Sequence, residues 1–467
     1  MIDLSEIVKA YDVRGIVGDQ LTPEVAAALG AAFVRVTGAE RLVAGHDMRD
    51  SGPGLLAAFA GGAMSQGADV VSIGLASTDL LYFASGRLDL PGAMFTASHN
   101  PAAYNGIKLC RAGAVPVGSD TGLVEIRELA QRYLAEGQPA PVARAGRRSE
   151  RDLLADYAAY LRELVDLSVI RELTVVVDAG NGMGGYTVPA VLGDAALAAL
   201  PLRIVPLYFE LDGSFPNHEA NPLDPKNLID LQQAVVAHQA DLGLAFDGDA
   251  DRCFVIDADG NPVSPSAITA LVAVRELAKA PGSPVIHNLI TSRAVPEIIT
   301  EHGGTPVRTR VGHSYIKAEM AASGAVFGGE HSAHYYFRDF WRADTGMLAA
   351  MHVLAALGEQ PRPLAELTAG YERYAASGEI NSQVADQAER VAAIRAHFAD
   401  RAVSADELDG LTVGFADGSW LNVRASNTEP LLRLNVEAGD ATAMAALRDE
   451  ALAVIREPAA GSRRGSA

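Results

Sequence analysis

The hydrophobic positions of the chain fall in short runs of apolar and β-branched residues, separated by longer stretches rich in Ala and Leu. The clearest short runs are residues 42–45, 68–73, 173–178 and 284–287. Short apolar runs are typical of strands buried on both faces, and the longer stretches have the spacing of helices. The pattern therefore predicts an α/β chain with mostly buried strands.

Breaks in this pattern predict how the chain divides. Residues 136–148 are rich in Pro, Gly and Arg, residues 257–261 have the composition of a turn, and residues 358–363 contain two further prolines. The last ten residues lack a hydrophobic pattern, and we expect a disordered tail there. The predicted domains are 1–147, 148–256, 257–365 and 366–457, followed by a tail at 458–467.

An amphipathic helix is predicted just after the first break. Its apolar positions recur with helical spacing, which places them on one face. They are Leu153, Leu154, Tyr157, Tyr160, Leu161 and Leu164.

Length and charge limit the function classes. A chain of 467 residues has room for three or four domains, at about 150 residues for each. Acidic residues outnumber basic ones by 58 to 38, which gives a formal charge of −20. Nucleic acid and anionic membranes are therefore excluded as general partners, although a local basic pocket for a small anion is compatible with this charge.

The cysteine count and the N-terminal residues predict the compartment. Only Cys110 and Cys253 are present, so no disulfide framework is expected. The first residues lack the basic and apolar segments of a signal peptide, and no apolar run approaches the length of a membrane span. We expect a cytoplasmic protein.

Three acidic residues at alternate positions follow a predicted apolar strand. They are Asp247, Asp249 and Asp251. Where a buried strand ends in a turn, side chains with this spacing can converge on one hard divalent cation such as Mg²⁺ or Ca²⁺. The EF-hand motif is excluded, because its sixth and twelfth positions, Gly and Glu, are Arg252 and Ala258 here.

Two other interpretations of this segment stay open on the residues alone. Asp and Gly are common in solvated turns, so the segment could be an acidic turn without chemistry. Alternatively, Asp251 could be buried by pairing with Arg252, since buried acids are usually paired.

A serine and a lysine lie upstream of the acidic segment. Ser98 follows an apolar stretch, so its hydroxyl is expected at the exit of a strand, and Lys108 comes shortly after it. The serine-hydrolase elbow is excluded, because the flanking glycines of that motif are absent. A serine near a lysine and a cation favours phosphoryl transfer over acyl transfer, and the alternative is a turn without chemistry.

Two polar motifs lie further along the chain. Glu330, Ser332 and His334 occupy alternate positions, and their side chains suit the hydroxyl groups of a sugar. Residues 424–430 combine Arg424 with small polar side chains that suit an anion. These are Ser426, Asn427 and Thr428. For either motif taken alone, a helix N-cap or a solvated loop is the commoner explanation.

In this order and spacing, the four motifs resemble the α-D-phosphohexomutase superfamily, and its bacterial phosphomannomutase/phosphoglucomutase members most of all. The resemblance extends from residues 11–15, Tyr-Asp-Val-Arg-Gly, to residues 424–430. It implies three related α/β domains with mixed sheets. It also implies a smaller C-terminal α+β domain of the TATA-binding-protein-like type, with all four domains around a central cleft.

The resemblance implies a role for each matching residue. Ser98 matches the serine that is phosphorylated in the resting enzyme and that adjoins the metal, and the three aspartates match the Mg²⁺ ligands. Lys108 and His313 match residues proposed for general acid/base work, and Arg14 and Arg252 match active-site arginines. The residues implied in substrate binding are Tyr11, Glu330, Ser332, His334, Arg424, Ser426, Asn427 and Thr428.

The implied activity is the interconversion of mannose 6-phosphate and mannose 1-phosphate, through a phosphoserine enzyme and a 1,6-bisphosphate intermediate. Glucose phosphates are further possible substrates. The resemblance also implies Mg²⁺, a hexose 1,6-bisphosphate as activator, hexose phosphates as the only partners, and a monomer or a homodimer. His331 stands where phosphoglucosamine mutases more often have Gln, and Ala333 replaces a glycine of many relatives.

Several alternatives stay open. Within the family they are a phosphoglucomutase and a phosphoglucosamine mutase. A sugar-phosphate phosphatase would use the same serine and metal but lose phosphate to water. A non-catalytic sugar-phosphate binding protein would be expected to lack the phosphorylated serine or a metal ligand.

Overall fold

A computed structural model describes residues 3–425 and 431–457. These residues form four sheets, each built from a separate part of the chain. Among them, no helix has the length and apolarity needed to cross a bilayer.

The first sheet has seven strands in the order β1-β5-β4-β2-β3-β7, with β6 paired to β5. Its helices are α1 (Pro23–Thr37), α2 (Gly52–Ser65), α3 (Thr78–Leu88) and α4 (Leu123–Glu136). Its strands are β1 (Val13–Ile16), β2 (Arg41–His46), β3 (Asp69–Leu75), β4 (Gly92–Phe95), β5 (Tyr104–Arg111), β6 (Val115–Pro116) and β7 (Arg148–Glu150).

The second sheet has five strands in the order β12-β11-β10-β8-β9. Its helices are α5 (Leu154–Leu164), α6 (Gly184–Val191) and α7 (Ile229–Ala237). Its strands are β8 (Leu173–Asp178), β9 (Leu202–Leu207), β10 (Leu242–Phe246), β11 (Cys253–Ile256) and β12 (Pro262–Val263).

The third sheet has five strands in the order β14-β13-β15-β16-β17. Its helices are α8 (Pro265–Lys279), α9 (Ala294–Glu301), α10 (His313–Ser323), α11 (Gly346–Gly358) and α12 (Leu364–Thr368). Its strands are β13 (Pro284–Asn288), β14 (Thr305–Thr309), β15 (Phe327–Gly329), β16 (Tyr335–Phe337) and β17 (Ala343–Asp344).

The fourth sheet is antiparallel, in the order β18-β23-β22-β21-β20 with β19 paired to β23. Helices α13 (Gln387–Phe398) and α14 (Ala441–Arg456) pack on it around a separate apolar core. Its strands are β18 (Ala375–Ala376), β19 (Ile380–Gln383), β20 (Ala402–Asp406), β21 (Leu411–Phe415), β22 (Trp420–Ala425) and β23 (Leu431–Ala438). This is the smaller α+β unit that was expected.

The first three sheets share one strand order. Each contains a run of five strands in which the first two pairings are parallel and the last two are antiparallel. The three runs are β3-β2-β4-β5-β6, β9-β8-β10-β11-β12 and β14-β13-β15-β16-β17. The predicted three related domains with mixed sheets are confirmed by this order. In each sheet the third strand turns back into its antiparallel neighbour through a short loop, at residues 96–103, 247–252 and 330–334.

The sheet pairings extend past two of the predicted boundaries. Residues 148–150 form β7 and pair with β3 of the first sheet, beyond the boundary predicted at 147. Residues 262–263 form β12 and pair with β11 of the second sheet, beyond the boundary predicted at 256. Edge strands of two or three residues carry too little hydrophobic pattern to be recognised from sequence.

Helices α1 and α2 pack against each other through glycines, which let their backbones approach closely. A Cβ added at Gly62 would lie 2.0 Å from the carbonyl oxygen of Ala27, and one at Gly30 would lie 2.1 Å from that of Phe59. Backbone atoms cannot give way as a flexible side chain can. The position of α2, which follows the loop after β2, therefore depends on these two glycines.

We expect Gly62→Ala to destabilise the first domain by about 1–3 kcal/mol, because the added methyl group must push the two helices apart. The matched control is Gly61→Ala in the same helix, where an added Cβ meets nothing within 4 Å. Alanine is the better helix former, so this change should stabilise by up to about 1 kcal/mol. Urea unfolding of both variants measures the difference, and equal midpoints would contradict the close packing.

Candidate active site

The loops that follow β4, β10 and β15 meet at the centre of the molecule. They line a cavity of about 100 Å³ together with residues of β1, β5 and β17. All ten lining residues carry a polar or charged side-chain group, which is unusual for residues around a cavity in the protein interior. The lining residues are Asp12, Arg14, Tyr82, Ser98, His99, Lys108, Asp251, Arg252, His334 and Asp344.

Ser98 is buried in the first of these loops, with its hydroxyl held by the second. Its Oγ donates a hydrogen bond to Asp247 Oδ2 at 2.7 Å and accepts one from Arg252 Nη2 at 3.4 Å. The Ser98 backbone has a φ of 49°, in the left-handed region that costs energy for a residue with a side chain. The loop thus presents this hydroxyl to the acidic segment, as the sequence predicted for a strand exit.

Arg49 holds the serine loop in this shape, although the sequence analysis did not identify it. Its buried guanidinium donates to the carbonyl oxygens of Ser98, Asn100, Pro101 and Tyr104 at 2.6–2.9 Å. A single planar side chain therefore satisfies four carbonyl oxygens of one loop. Its neighbour Asp47 pairs with it at 3.3 Å.

The three aspartates form a set that fits a divalent cation. One carboxylate oxygen from each of Asp247, Asp249 and Asp251 lies within 4.8 Å of the others, and all three residues are buried. Asp249 Oδ1 and Asp251 Oδ1 are buried oxygens without a hydrogen-bond donor among the described residues. Burial, together with the adjacent carboxylates, raises the pKa of Asp247 to about 7. Buried, crowded carboxylate oxygens are the ligands that hard cations prefer.

Lys108 lies against two of these carboxylates. Its Nζ contacts Asp249 Oδ2 at 2.7 Å and Asp251 Oδ2 at 2.5 Å. Burial alone would lower the pKa of Lys108, but the two carboxylates more than offset it and the pKa is raised well above its usual value. In this arrangement Lys108 is an ammonium group that can donate hydrogen bonds. Asp251 is thus paired mainly with Lys108 rather than with Arg252, whose Nε lies 3.9 Å away.

Two arginines complete the charged wall around the serine. Arg252 contacts Asp247 Oδ2 at 2.8 Å and also donates to His99 Nδ1. Burial and the positive charge of Arg252 hold the pKa of His99 well below its usual value. Arg14 on β1 donates to Asp12 Oδ2 at 2.8 Å and to Asn100 Oδ1 at 2.5 Å. Arg252 therefore faces the serine hydroxyl, while Arg14 contacts the loop around it.

A buried junction behind the cavity ties the first three domains together. Asp79 accepts hydrogen bonds from the hydroxyls of Tyr157 and Thr345, at 2.6 and 2.7 Å. Burial raises the pKa of Asp79 to about 6. The preceding residue, Thr78, donates to Asp249 Oδ2 at 2.6 Å. This junction therefore places the N-terminus of α3 directly against the acidic segment.

Glu330 is largely committed to contacts within the protein. Its Oε1 accepts from Asn288 Nδ2 and from the Gly312 backbone, both at 3.2 Å, and its Oε2 accepts from the Tyr336 hydroxyl at 2.7 Å. A carboxylate has about four acceptor positions, so little capacity is left for a ligand. Ser332 is half-buried, and its hydroxyl lies 3.1 Å from His334 Nδ1.

The fourth sheet contributes two neighbouring arginines. Arg424 and Arg433 are register partners on β22 and β23, and both contact Glu379, at 2.9 and 3.3 Å. Their Nε atoms are buried and have no acceptor among the described residues. Arg433 was not identified from sequence, because the register of the hairpin is needed to place it beside Arg424. The pair is suited to an anion.

Tyr11 lies where the first and third domains meet. Its ring packs edge-on against Tyr315 of α10, with 6.1 Å between the centroids. Burial and the neighbouring Tyr315 raise the pKa of Tyr11. The backbone of His313 forms the start of α10, and its side chain lies outside what the structure describes. Ser426, Asn427, Thr428 and the predicted tail also lie outside the described residues.

The structure brings one group of predicted residues together around the cavity and places others beyond its wall. Arg14, Ser98, Lys108, Asp251, Arg252 and His334 line it. Outside that lining lie Tyr11, Asp247, Asp249, Glu330, Ser332 and Arg424. Asp247 and Asp249 nevertheless contact residues that line the cavity, Ser98 and Lys108. Of the cavity residues that were not predicted, Asp344 could have been recognised from sequence. It is a carboxylate that stands just before the apolar stretch that forms the buried helix α11.

Four family models match consecutive parts of the chain. They describe the phosphoglucomutase/phosphomannomutase alpha/beta/alpha domains I, II and III, at residues 5–136, 155–260 and 264–374. The fourth describes the C-terminal domain of the same proteins, at residues 379–454.

Curated relatives and solved structures of similar length also match. A phosphomannomutase of Salmonella montevideo is 40% identical over 454 residues, which is 96% of this chain and 98% of the relative. A protein of Xanthomonas campestris pv. campestris named phosphohexose mutases is 40% identical over 453 residues, with the same coverage. A crystal structure of a phosphoglucomutase/phosphomannomutase family protein from Burkholderia thailandensis superposes with a TM-score of 0.87, at 32% identity, and covers 98% of this chain and 99% of its own.

We expect Arg49→Lys to destabilise the protein by about 2–3 kcal/mol and to lower turnover, because an ammonium group cannot satisfy the four carbonyl oxygens of the serine loop. Urea unfolding and a steady-state assay measure the two effects. The matched control is Arg41→Lys at the exposed start of β2, the strand that precedes the Arg49 loop, which should change stability by less than about 0.5 kcal/mol. If the two variants behave alike, Arg49 does not support the loop.

Proposed function

The chain belongs to the phosphoglucomutase/phosphomannomutase family, and from that membership we propose that it interconverts mannose 6-phosphate and mannose 1-phosphate. The reaction would run through a phosphorylated Ser98 and a mannose 1,6-bisphosphate intermediate. The proposal includes glucose phosphates as slower substrates, since glucose and mannose differ only at C2.

One observation carries the proposal: the Ser98 hydroxyl of the first domain lies 2.7 Å from Asp247 of the second. A phosphoryl group on Ser98 Oγ would lie next to the acidic segment, Arg252 and Lys108. Phosphoryl transfer depends mainly on positioning and on charge stabilisation, and these groups supply both. An acyl-transfer enzyme would instead need an effective base beside the serine. His99 Nδ1 does lie 3.2 Å from Ser98 Oγ, but it also accepts a hydrogen bond from Arg252, and burial with that positive charge holds the pKa of His99 well below its usual value.

The three aspartates are the proposed ligands of Mg²⁺, with Ser98 Oγ or its phosphoryl group adjoining the ion. When bound, Mg²⁺ would offset the negative charge of the phosphoryl oxygens. The chain's own residues do the rest of the work at this end. Arg252 directs Nη2 at Ser98 Oγ, Lys108 keeps its ammonium group beside Asp249 and Asp251, and Arg49 fixes the backbone of the serine loop.

The opposite end of the substrate is proposed to bind between the third and fourth domains. Arg424, with Arg433 beside it, would hold the phosphate that does not react, and residues 426–428 are predicted to join them. A guanidinium can donate two parallel hydrogen bonds to phosphate, which fixes orientation as well as charge. Glu379 contacts both arginines, so a phosphate would have to displace Glu379 or share the two guanidinium groups with it.

The sugar itself is proposed to contact Glu330, Ser332 and His334, with His313 and Lys108 as candidates for proton transfer. Because three protein donors already occupy Glu330, we expect Ser332 and His334 to make more of the sugar contacts than Glu330 does. Contacts of this kind serve both orientations of the bisphosphate, which must turn over between the two transfers. A hexose 1,6-bisphosphate would then act as the activator by phosphorylating Ser98.

The substrate is tested by measuring turnover of mannose 1-phosphate, glucose 1-phosphate and glucosamine 1-phosphate, with a bisphosphate present. We expect mannose 1-phosphate to be used best, without release of inorganic phosphate. Ser98→Ala should lower kcat by about a thousandfold or more, because no other side chain replaces a covalent carrier.

Ser168→Ala, at an exposed serine of the second domain, is the control and should keep full activity. Near-normal turnover in Ser98→Ala would show that this serine is not the phosphoryl carrier. Release of phosphate in place of sugar-phosphate product would favour a phosphatase. A preference for glucose or glucosamine phosphate would instead indicate a phosphoglucomutase or a phosphoglucosamine mutase.

We expect chelation to abolish turnover and added Mg²⁺ to restore it, because oxygen ligands alone favour a hard cation. Asp249→Asn should weaken Mg²⁺ activation, since it removes one of three charges. The matched control is Asp259→Asn, an exposed carboxylate in the turn after β11, which should leave Mg²⁺ activation unchanged. Full activity in excess chelator would contradict the metal requirement.

A further inference from the structure

A second and larger cavity, of about 500 Å³, lies where the second, third and fourth domains meet. Among the described residues, it has no lining residue in common with the cavity around Ser98. Its walls come from β11 and β12, the start of α8, the connection at 371–378, and strands β22 and β23. This volume is in the usual range for pockets that bind small molecules.

The walls of this cavity are mostly apolar, and several of them are aromatic. The aromatic residues of the lining are Phe254, His331, Tyr371, Tyr374 and Trp420. Rings of this kind can stack on a flat heterocycle such as a nucleobase. The described lining includes two carboxylates, Glu372 and Glu437, and neither a lysine nor an arginine. A sugar phosphate held wholly inside the cavity would therefore lack a counter-charge.

Two buried side chains of β23 bring unpaired polar atoms to this cavity. Glu437 Oε1 accepts from Trp420 Nε1 at 2.9 Å and from the backbone nitrogen of Arg293 at 3.1 Å, whereas Glu437 Oε2 has no donor in the part of the chain that the structure describes. Asn435 Nδ2 likewise lacks an acceptor there. Glu437 is 2% exposed and Asn435 is 6% exposed. Buried polar atoms in this state are costly unless a ligand or a water molecule satisfies them.

The positive charge of Arg293 is engaged elsewhere. Its guanidinium lies over the ring of Tyr374, 4.1 Å from the centroid, and donates to the Tyr374 hydroxyl at 2.8 Å and to the carbonyl oxygen of Gly418. Glu437 Oε2 therefore keeps its capacity to accept a hydrogen bond from a ligand.

The same face of β23 carries an arginine two positions before Asn435. Side chains at alternate positions of a strand point to one face, and Leu434 and Val436 face the apolar core of the fourth domain. Arg433, Asn435 and Glu437 therefore share the opposite face. Along a strand, four residues span about 13 Å, so a ligand that contacts both Arg433 and Glu437 must be elongated.

His331 connects the cavity with the arginine pair. It lines the cavity, and burial together with the positive charges of Arg424 and Arg433 lowers the pKa of His331 to about 3. The imidazole is therefore neutral, and the two guanidinium groups are close enough to act on it. An anionic group at the arginines and a flat ring in the cavity can thus belong to one molecule.

From this arrangement we propose that the face of β23 binds a purine nucleoside monophosphate. The phosphate lies at Arg424 and Arg433, and the base enters the aromatic cavity. The edge of the base donates an N–H group to Glu437 Oε2 and accepts from Asn435 Nδ2, since adenine and guanine both carry a donor next to an acceptor. A purine suits the long span better than the smaller pyrimidine ring.

This inference rests on the proposed function at one point. The arginine pair is also the proposed site of the non-reacting phosphate, so the nucleotide and the sugar phosphate exclude each other. The nucleotide is therefore a competitive inhibitor of the mutase reaction. The base cavity itself has no part in the proposed reaction.

Isothermal titration calorimetry of the full-length protein tests the site with adenosine monophosphate and guanosine monophosphate. We expect the better of the two to bind once per chain, with a dissociation constant below about 0.1 mM. Ribose 5-phosphate lacks the base and the matching nucleoside lacks the phosphate, so each should bind at least about tenfold more weakly. Equal affinity for ribose 5-phosphate or for free mannose would overturn the proposal.

Glu437→Gln is the decisive variant, because it keeps one oxygen for Trp420 and the Arg293 backbone but replaces the free acceptor with an amide donor. Its nucleotide affinity should fall at least about tenfold, with turnover of mannose 1-phosphate unchanged and the fold checked by circular dichroism. Asn435→Asp, which replaces the donor with an acceptor, should give a similar loss of nucleotide affinity.

The matched control is Glu372→Gln, an exposed carboxylate of the same lining, which should change nucleotide affinity by less than about twofold. Equal losses in Glu372→Gln and Glu437→Gln would assign the effect to general charge and overturn the proposed contact. Unchanged affinity in Glu437→Gln would overturn it as well.

Steady-state kinetics separate this inference from the proposed function. The bound nucleotide should raise the KM for mannose 1-phosphate without lowering kcat, because both ligands need the arginine pair. A protein that binds the nucleotide but has no mutase activity would contradict the proposed function alone. An active mutase that binds neither nucleotide would contradict this inference alone.

Discussion

The site depends on one constraint, which is the strand order shared by the first three sheets. In each sheet the third strand turns straight back into an antiparallel neighbour, so the loop between them lies at the edge where the parallel strands end. Three such loops meet at the centre, and they supply Ser98, the acidic segment at 247–252 and the polar segment at 330–334. The reactive groups of the cavity therefore come from three copies of one structural element, the loop between the third strand and its antiparallel neighbour.

Charge balance is the second requirement, because the cavity buries many ionisable groups. Asp247 is matched by Arg252, Asp249 and Asp251 by Lys108, and Asp344 by Lys317. Unpaired burial of any one of these charges would cost several kcal/mol. Lys108 belongs to the first domain and Asp249 and Asp251 belong to the second, so this contact also holds two domains together, whereas the other two pairs each lie within one domain. Truncation of one partner would thus affect both packing and chemistry.

Much of the fold could be predicted from sequence, because buried strands carry a strong local signal. The runs at 42–45, 68–73, 173–178 and 284–287 correspond to β2, β3, β8 and β13. The site loops were recognisable for a similar reason, since each places unusual polar residues directly after an apolar strand. Arg49, Lys317 and Arg433 were missed, because their importance comes from contacts with residues distant in the chain or from the register of a hairpin.

Each of the three loops contains one non-glycine residue in the left-handed region: Ser98, Ala250 and Ala333. Such a conformation costs of order 1 kcal/mol per residue, and the surrounding sheet must hold it in place. A loop that is already held in this way has little freedom left to lose when a substrate arrives. These three loops should therefore contribute little to the conformational entropy lost on substrate binding, because most of that entropy is already lost when the sheets form.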